Sequence, residues 1–67
     1  MKKKFYELKE AVQFLNDNGL RQGSGTFDNC GVISYSGNNR YGHLYASFDI
    51  VGGRFKRVFF ATVNEVL

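Results

Sequence analysis

Proline and tryptophan are absent from this 67-residue chain, and cysteine, histidine and methionine occur once each. With one cysteine there is no intramolecular disulfide. With no Cys/His cluster at metal-ligand spacing there is no structural metal, so neither usual staple of a small domain is available. The lone Cys30 fits a reducing, cytosolic setting. No long apolar run occurs either: FYELKEAVQFLNDNG is interrupted by Glu7, Lys9, Glu10 and Asp17. Neither a signal peptide nor a membrane segment is expected, and the protein is expected to be soluble and cytoplasmic.

What is present is aromatic bulk: seven Phe and four Tyr, with eight Gly. A chain of this length makes one domain, 1–67, and buries only about 60% of its unfolded surface, so large side chains must supply the core economically. The net charge is +3, with Lys2, Lys3 and Lys4 in one block and Arg54, Lys56 and Arg57 in another. Such a field favours nucleic acid or an acidic protein surface, although a modest excess of lysine also serves solubility alone.

Leu8, Ala11, Val12 and Leu15 fall at helical spacing, flanked by Phe5 and Phe14, and predict an amphipathic helix over about 6–18. Asn18-Gly19 is a strong stop, with Leu20 able to fold back onto the last turn; the start lacks a capping residue. Residues 1–5 read as a basic tail, or as a short strand over 2–5, and residues 20–26 as a Gly-rich polar connection. Three strands follow, at about 27–36, 40–50 and 54–63, joined by turns at Asn38-Asn39 and Gly52-Gly53. Residues 62–67 either extend the last strand or form a helical turn.

The turns set the register. Ile33 faces Leu44, Gly31 faces Ala46 and Phe27 faces Ile50; on the other side Ile50 faces Phe55, Phe48 faces Arg57, Ala46 faces Phe59 and Leu44 faces Ala61. This string is expected to be the core face, covered by the helix, with Arg57 packing its stem and sending its head to the edge. The expected fold is therefore α+β: one amino-terminal helix packed on a three-stranded antiparallel meander, in the order α-β-β-β and in two layers.

The other face sets Tyr45 between Val32 and Phe60, Ser47 between Cys30 and Val58, His43 between Ser34 and Thr62, and Asp49 between Asp28 and Lys56. One helix covers one side, so an apolar centre at Val32, Tyr45, Val58, Phe60 and Cys30, with a mixed rim of Tyr41, His43, Asp49, Lys56 and Arg54, is expected to be exposed and to bind a partner or a second copy. In the competing arrangement the amino-terminal tail or residues 62–67 fold over this face.

Chemistry finds little support. His43 and Cys30 are a weak pair on a flat face with no orienting third group; Asp28 and Asp49 lack a third ligand; GSG lacks the order of a phosphate cradle. No catalytic residue, cofactor or metal is expected. GRFKRVFF resembles the aromatic strand of RNA-recognition motifs at a few positions, in a different topology, and the helix-then-strands order is similar to double-stranded-RNA-binding domains. Those need a second helix with a basic start, which this chain is expected to end too early to supply, and no family is assigned.

The expectation is a non-enzymatic interaction protein, a homodimer that also binds and regulates or inhibits a larger complex, in the style of phage and mobile-element accessory proteins. The alternative is direct nucleic-acid binding by the Tyr-rich face, with Lys2, Lys3, Lys4, Arg40, Arg54 and Lys56 as candidate phosphate or acidic-surface contacts.

Overall fold

The structure, a computed structural model, describes residues 1–23 and 31–65. Its elements are β1 (Lys2–Phe5), α1 (Leu8–Asp17), β2 (Arg21–Gln22), β3 (Val32–Gly37), β4 (Arg40–Val51) and β5 (Arg54–Glu65). All five strands form one antiparallel sheet in the order β1-β5-β4-β3-β2.

This corrects the expected three-stranded, two-layer α-β-β-β unit: the molecule is mostly sheet, with two further strands and one short helix. A bare meander leaves backbone donors and acceptors unpaired along both edges, and the flanking segments satisfy them. On one side β1 pairs with β5 from Lys2 opposite Thr62 to Phe5 opposite Phe59. Its start is secured by the Met1 ammonium, which donates to the Val63 carbonyl at 2.8 Å, while the Val63 N–H donates to the Met1 carbonyl at 2.8 Å. On the other side Arg21 and Gln22 pair with Ser36 and Tyr35, and the Gly23 N–H donates to the Ser34 carbonyl.

Both hairpins keep the register read from the turns, from Ile33 opposite Leu44 to Ile50 opposite Phe55. Asn38 and Asn39 have φ of 50° and 58°, and Gly52 and Gly53 have 59° and 78°, as two-residue turns matched to strand twist require. Phe27, Asp28 and Cys30, with the pairings assigned to them, lie outside the described residues; Gly31 precedes β3, at φ 72°. The last strand runs to Glu65, so residues 62–65 extend the sheet.

Helix α1 is shorter than the periodicity suggests. Glu7 occupies the amino-terminal cap without a side-chain hydrogen bond. At the other end the Asn18 and Leu20 N–H groups return to Leu15, and Gly19 takes φ 82°. Ala11, Leu15 and Leu20 pack with Ile33, Tyr35, Leu44, Phe59, Ala61 and Val63 to form the core. Gly42 leaves room for this packing, since a Cβ there would run into the Thr62 carbonyl oxygen and approach Leu20. Arg40 fixes the helix end, donating to the Asn18 side chain at 3.3 Å and pairing with Glu65 at 3.2 Å. A cation suits the negative end of a helix.

Ten helical residues span about 15 Å, whereas the twelve-residue strands β4 and β5 span about 40 Å. The molecule is 42 Å long. The helix enters after Phe5, opposite Phe59, and ends beside Arg40, so it covers one half of the hairpin and stops.

Candidate functional site

The uncovered half of the hairpin carries the largest exposed apolar surface of the described residues. Phe48, Ile50 and Phe55 continue the core string of Leu44, Ala46, Phe59 and Ala61, yet they are 65%, 67% and 80% exposed. The expected helix-covered face is thus covered only as far as Ala46 and Phe59. Among the described residues, beyond that level β5 pairs with β4 alone and β4 with β5 alone.

The patch has internal order. The Phe48 and Phe55 rings meet edge to face at a centroid distance of 6.5 Å and line a shallow cavity of about 330 Å³. The Arg57 guanidinium sits 5.8 Å from the Phe48 centroid, so its head stays on this face over the ring. Arg54 stands exposed at the turn, and Val51 beside it is also exposed. The helix contributes a step at the inner boundary: exposed Leu8, with Glu7 and Glu10 at its start.

The opposite face, named from the sequence as the partner surface, is narrower than its alternation suggests. Tyr45 and Phe60 stack at 5.3 Å and are half-buried, and the Lys2 ammonium lies over both rings, 4.7 Å from Phe60 and 5.8 Å from Tyr45. Val58 is 1% exposed. The β1 register carried one residue beyond its last pair sets Tyr6 opposite Val58, with the ammonium groups of Lys4 and Lys56 at 5.5 and 5.0 Å from the Tyr6 ring. Val32 and His43 are half-buried and Tyr41 is exposed; the Tyr41 and His43 rings meet edge to face at 6.4 Å. The His43 backbone N–H donates to the Thr62 hydroxyl.

The candidate phosphate contacts are dispersed and mostly engaged. Lys4 donates to Asp49 at 2.9 Å, which holds that carboxyl below its ordinary range, chiefly by this hydrogen bond and next by the Ile50 N–H. The same bond raises the Lys4 ammonium. Lys56 is opposite Asp49, as the register requires, yet the carboxylate is taken by Lys4. Lys3 lies over the Phe5 and Phe14 rings, and Arg40 serves the helix end. Arg54 keeps its head at the hairpin tip, with no ion pair among the described residues.

Among the described residues, no group of three or more His, Cys, Asp or Glu side chains is placed to hold a metal ion. Among the same residues no helix is long and apolar enough to cross a membrane. Sequence reasoning missed Phe48, Ile50 and Phe55 as surface residues; the one available signal was the length of the helix against the length of the strands. Comparisons of the chain with protein-family models, with curated proteins and with solved structures find no match.

Proposed function

We propose that the chain is a non-enzymatic binding module whose contact surface is the uncovered half of the β4–β5 hairpin. The observation that carries this reading is the exposure of Phe48, Ile50 and Phe55 as one apolar cluster on a strand pair that the helix does not reach. Apolar centres with a polar rim are how protein contacts are built, and here Arg57 stands at the border of the cluster, over the Phe48 ring. A regulator or inhibitor of a larger complex works through such a contact without chemistry of its own, and a cytoplasmic protein of this kind is the reading we adopt.

If these residues form a contact surface, they contribute little to the fold itself. The double variant Phe48→Ser/Phe55→Ser should melt within a few degrees of the parent in dilute solution, by circular dichroism. Loss of the cooperative melt in that variant would make the cluster part of the core and end this reading.

Nucleic-acid binding is the second reading, and it rests on one observation: Lys2, Lys4 and Lys56 share a face with the Tyr6, Tyr45 and Phe60 rings. Stacked bases would have to displace ammonium groups from those rings, which weighs against it. Phosphate contacts make affinity fall steeply with salt. The protein-contact reading predicts no retention of mixed single-stranded oligonucleotides even at low salt; salt-sensitive retention lost in Lys2→Glu would establish the second reading.

A further inference from the structure

We infer that the open edge of β1 takes an extended segment of a partner protein as a further antiparallel strand, with acidic side chains on every second residue facing Lys2 and Lys4. This surface is separate from the hairpin cluster, and the inference does not depend on that reading.

The backbone of the edge selects a peptide. Met1 and Val63 exchange both of their backbone hydrogen bonds, so Lys3 with Ala61, and then Phe5 with Phe59, do the same. Lys2 and Lys4 therefore turn their N–H and C=O groups away from β5. Since β1 is the outermost strand, no other strand among the described residues meets those groups. Each lysine thus offers a donor and an acceptor side by side, the pattern that an added strand completes. Phosphate oxygens only accept, so a nucleic-acid backbone would answer the N–H groups and leave the carbonyls to water.

Charge fixes the side chains of the added strand. By register Lys2, Lys4, Arg21, Arg54 and Lys56 all fall on the helix-free face, against Asp49 alone. On the helix side Lys3, Lys9, Arg40 and Arg57 are balanced by Glu7, Glu10, Asp17 and Glu65. The net positive charge of the described residues is thus confined to one face. Partner residues opposite Lys2 and Lys4 exchange backbone bonds with them and set their own side chains on that face, about 7 Å apart. Carboxylates there meet the ammonium groups across the strands. Lys4 already holds Asp49, and its ammonium keeps further N–H donors for a second carboxylate. The partner residue between the two lies on the helix side, where the Lys3 stem and the Phe5 and Phe14 rings suit an apolar side chain.

A second copy of this chain does not supply such a strand. Among the described strands only β4 and β5 carry a carboxylate, Asp49 and Glu65, and neither carries two. Pairing β1 with β1 would set lysine against lysine.

Titration of the isotope-labelled full chain with a short peptide of alternating Glu and Val, followed by amide NMR, tests this. The peptide should shift the Lys2 and Lys4 amides and slow their exchange. Methylating the Glu nitrogens of the peptide should weaken binding at least about tenfold more than methylating the Val nitrogens, because in antiparallel pairing only the Glu N–H groups face β1. Lys2→Glu should weaken binding about tenfold, and Lys9→Glu, the same change in net charge placed on the helix, by less than about twofold. A peptide of alternating Lys and Val, and oligothymidylate, should leave the two amides unmoved.

Unmoved Lys2 and Lys4 amides at about 1 mM acidic peptide overturn the inference. Equal losses on methylating Glu or Val overturn strand addition, and equal weakening by Lys2→Glu and Lys9→Glu overturns the placement of the acidic residues. Oligothymidylate that moves the same amides overturns the choice of a protein segment. The methylated peptides are read against the parent chain, so that arm holds even where Lys2→Glu fails to fold.

Discussion

From Arg40 to Ala46 strand β4 belongs to a broad sheet with a helix on one face, whereas from Ser47 to Val51 it belongs, among the described residues, to a two-stranded ribbon that the helix does not reach. The ladder continues through both halves and the alternation of apolar residues does not change. Leu44 is fully buried; Phe48 and Ile50, on the same face, are mostly exposed. Alternation reports which residues share a face, and the length of the neighbouring element decides whether that face is core or surface.

Substitutions should separate the halves most strongly where cavities are made. Leu44→Ala removes a fully buried side chain and should cost about 2–5 kcal/mol, enough to unfold much of so small a domain, as read by urea titration. Phe55→Ser, at the other end of the same face, should change stability by no more than about 1 kcal/mol. Comparable losses at the two positions would erase the distinction between them.

A second comparison uses added volume rather than lost volume. Gly42→Val puts a branched Cβ against the Thr62 carbonyl and should cost about 1–3 kcal/mol, whereas Ile50→Val, on the exposed ribbon, should leave the melting midpoint unchanged. Smaller again is the effect of Arg40→Ala, which loosens the helix end and should lower stability by about 0.5–1 kcal/mol.

The pH dependence divides the same way. Burial raises the Tyr35 phenol in the covered half, so its contribution is complete below its ordinary value of about 10 and is lost as pH rises through the raised folded value. Tyr35→Phe should flatten the alkaline limb of the stability curve. Lys4, raised by its bond to Asp49, contributes in the same direction, while Asp49, lowered by Lys4, contributes above a pH of about 4 and loses this as pH falls through its lowered folded value. Both are solvent-exposed, and Asp49→Asn, which removes both shifts, should produce the smallest change of the set, a slight flattening of the acid and the alkaline limbs.

Much of the hairpin pair was legible in the sequence because its determinants are local. Asn38-Asn39 and Gly52-Gly53 specify turns, and each turn fixes every pairing that follows from it. The helix stripe and its stop at Asn18-Gly19 were legible for the same reason. Strand β1 was legible only as one of two readings of residues 2–5, since Lys2 to Lys4 show no alternation, and β2 not at all, since Arg21–Gln22 is too short to show any; both are strands because an open edge lies beside them. That nonlocal cause also reshapes the opposite face, where Lys2 and Tyr6 lie with Tyr45, Phe60 and Val58. The residues named there from the sequence are brought together, but with less open surface than Phe48, Ile50 and Phe55.

Residue-resolved amide exchange in dilute solution tests the contrast between the halves most directly. The account predicts slow exchange at Ile33, Leu44, Ala61 and Val63, and fast exchange at Phe48, Ile50 and Phe55. Equal protection of both halves would contradict it.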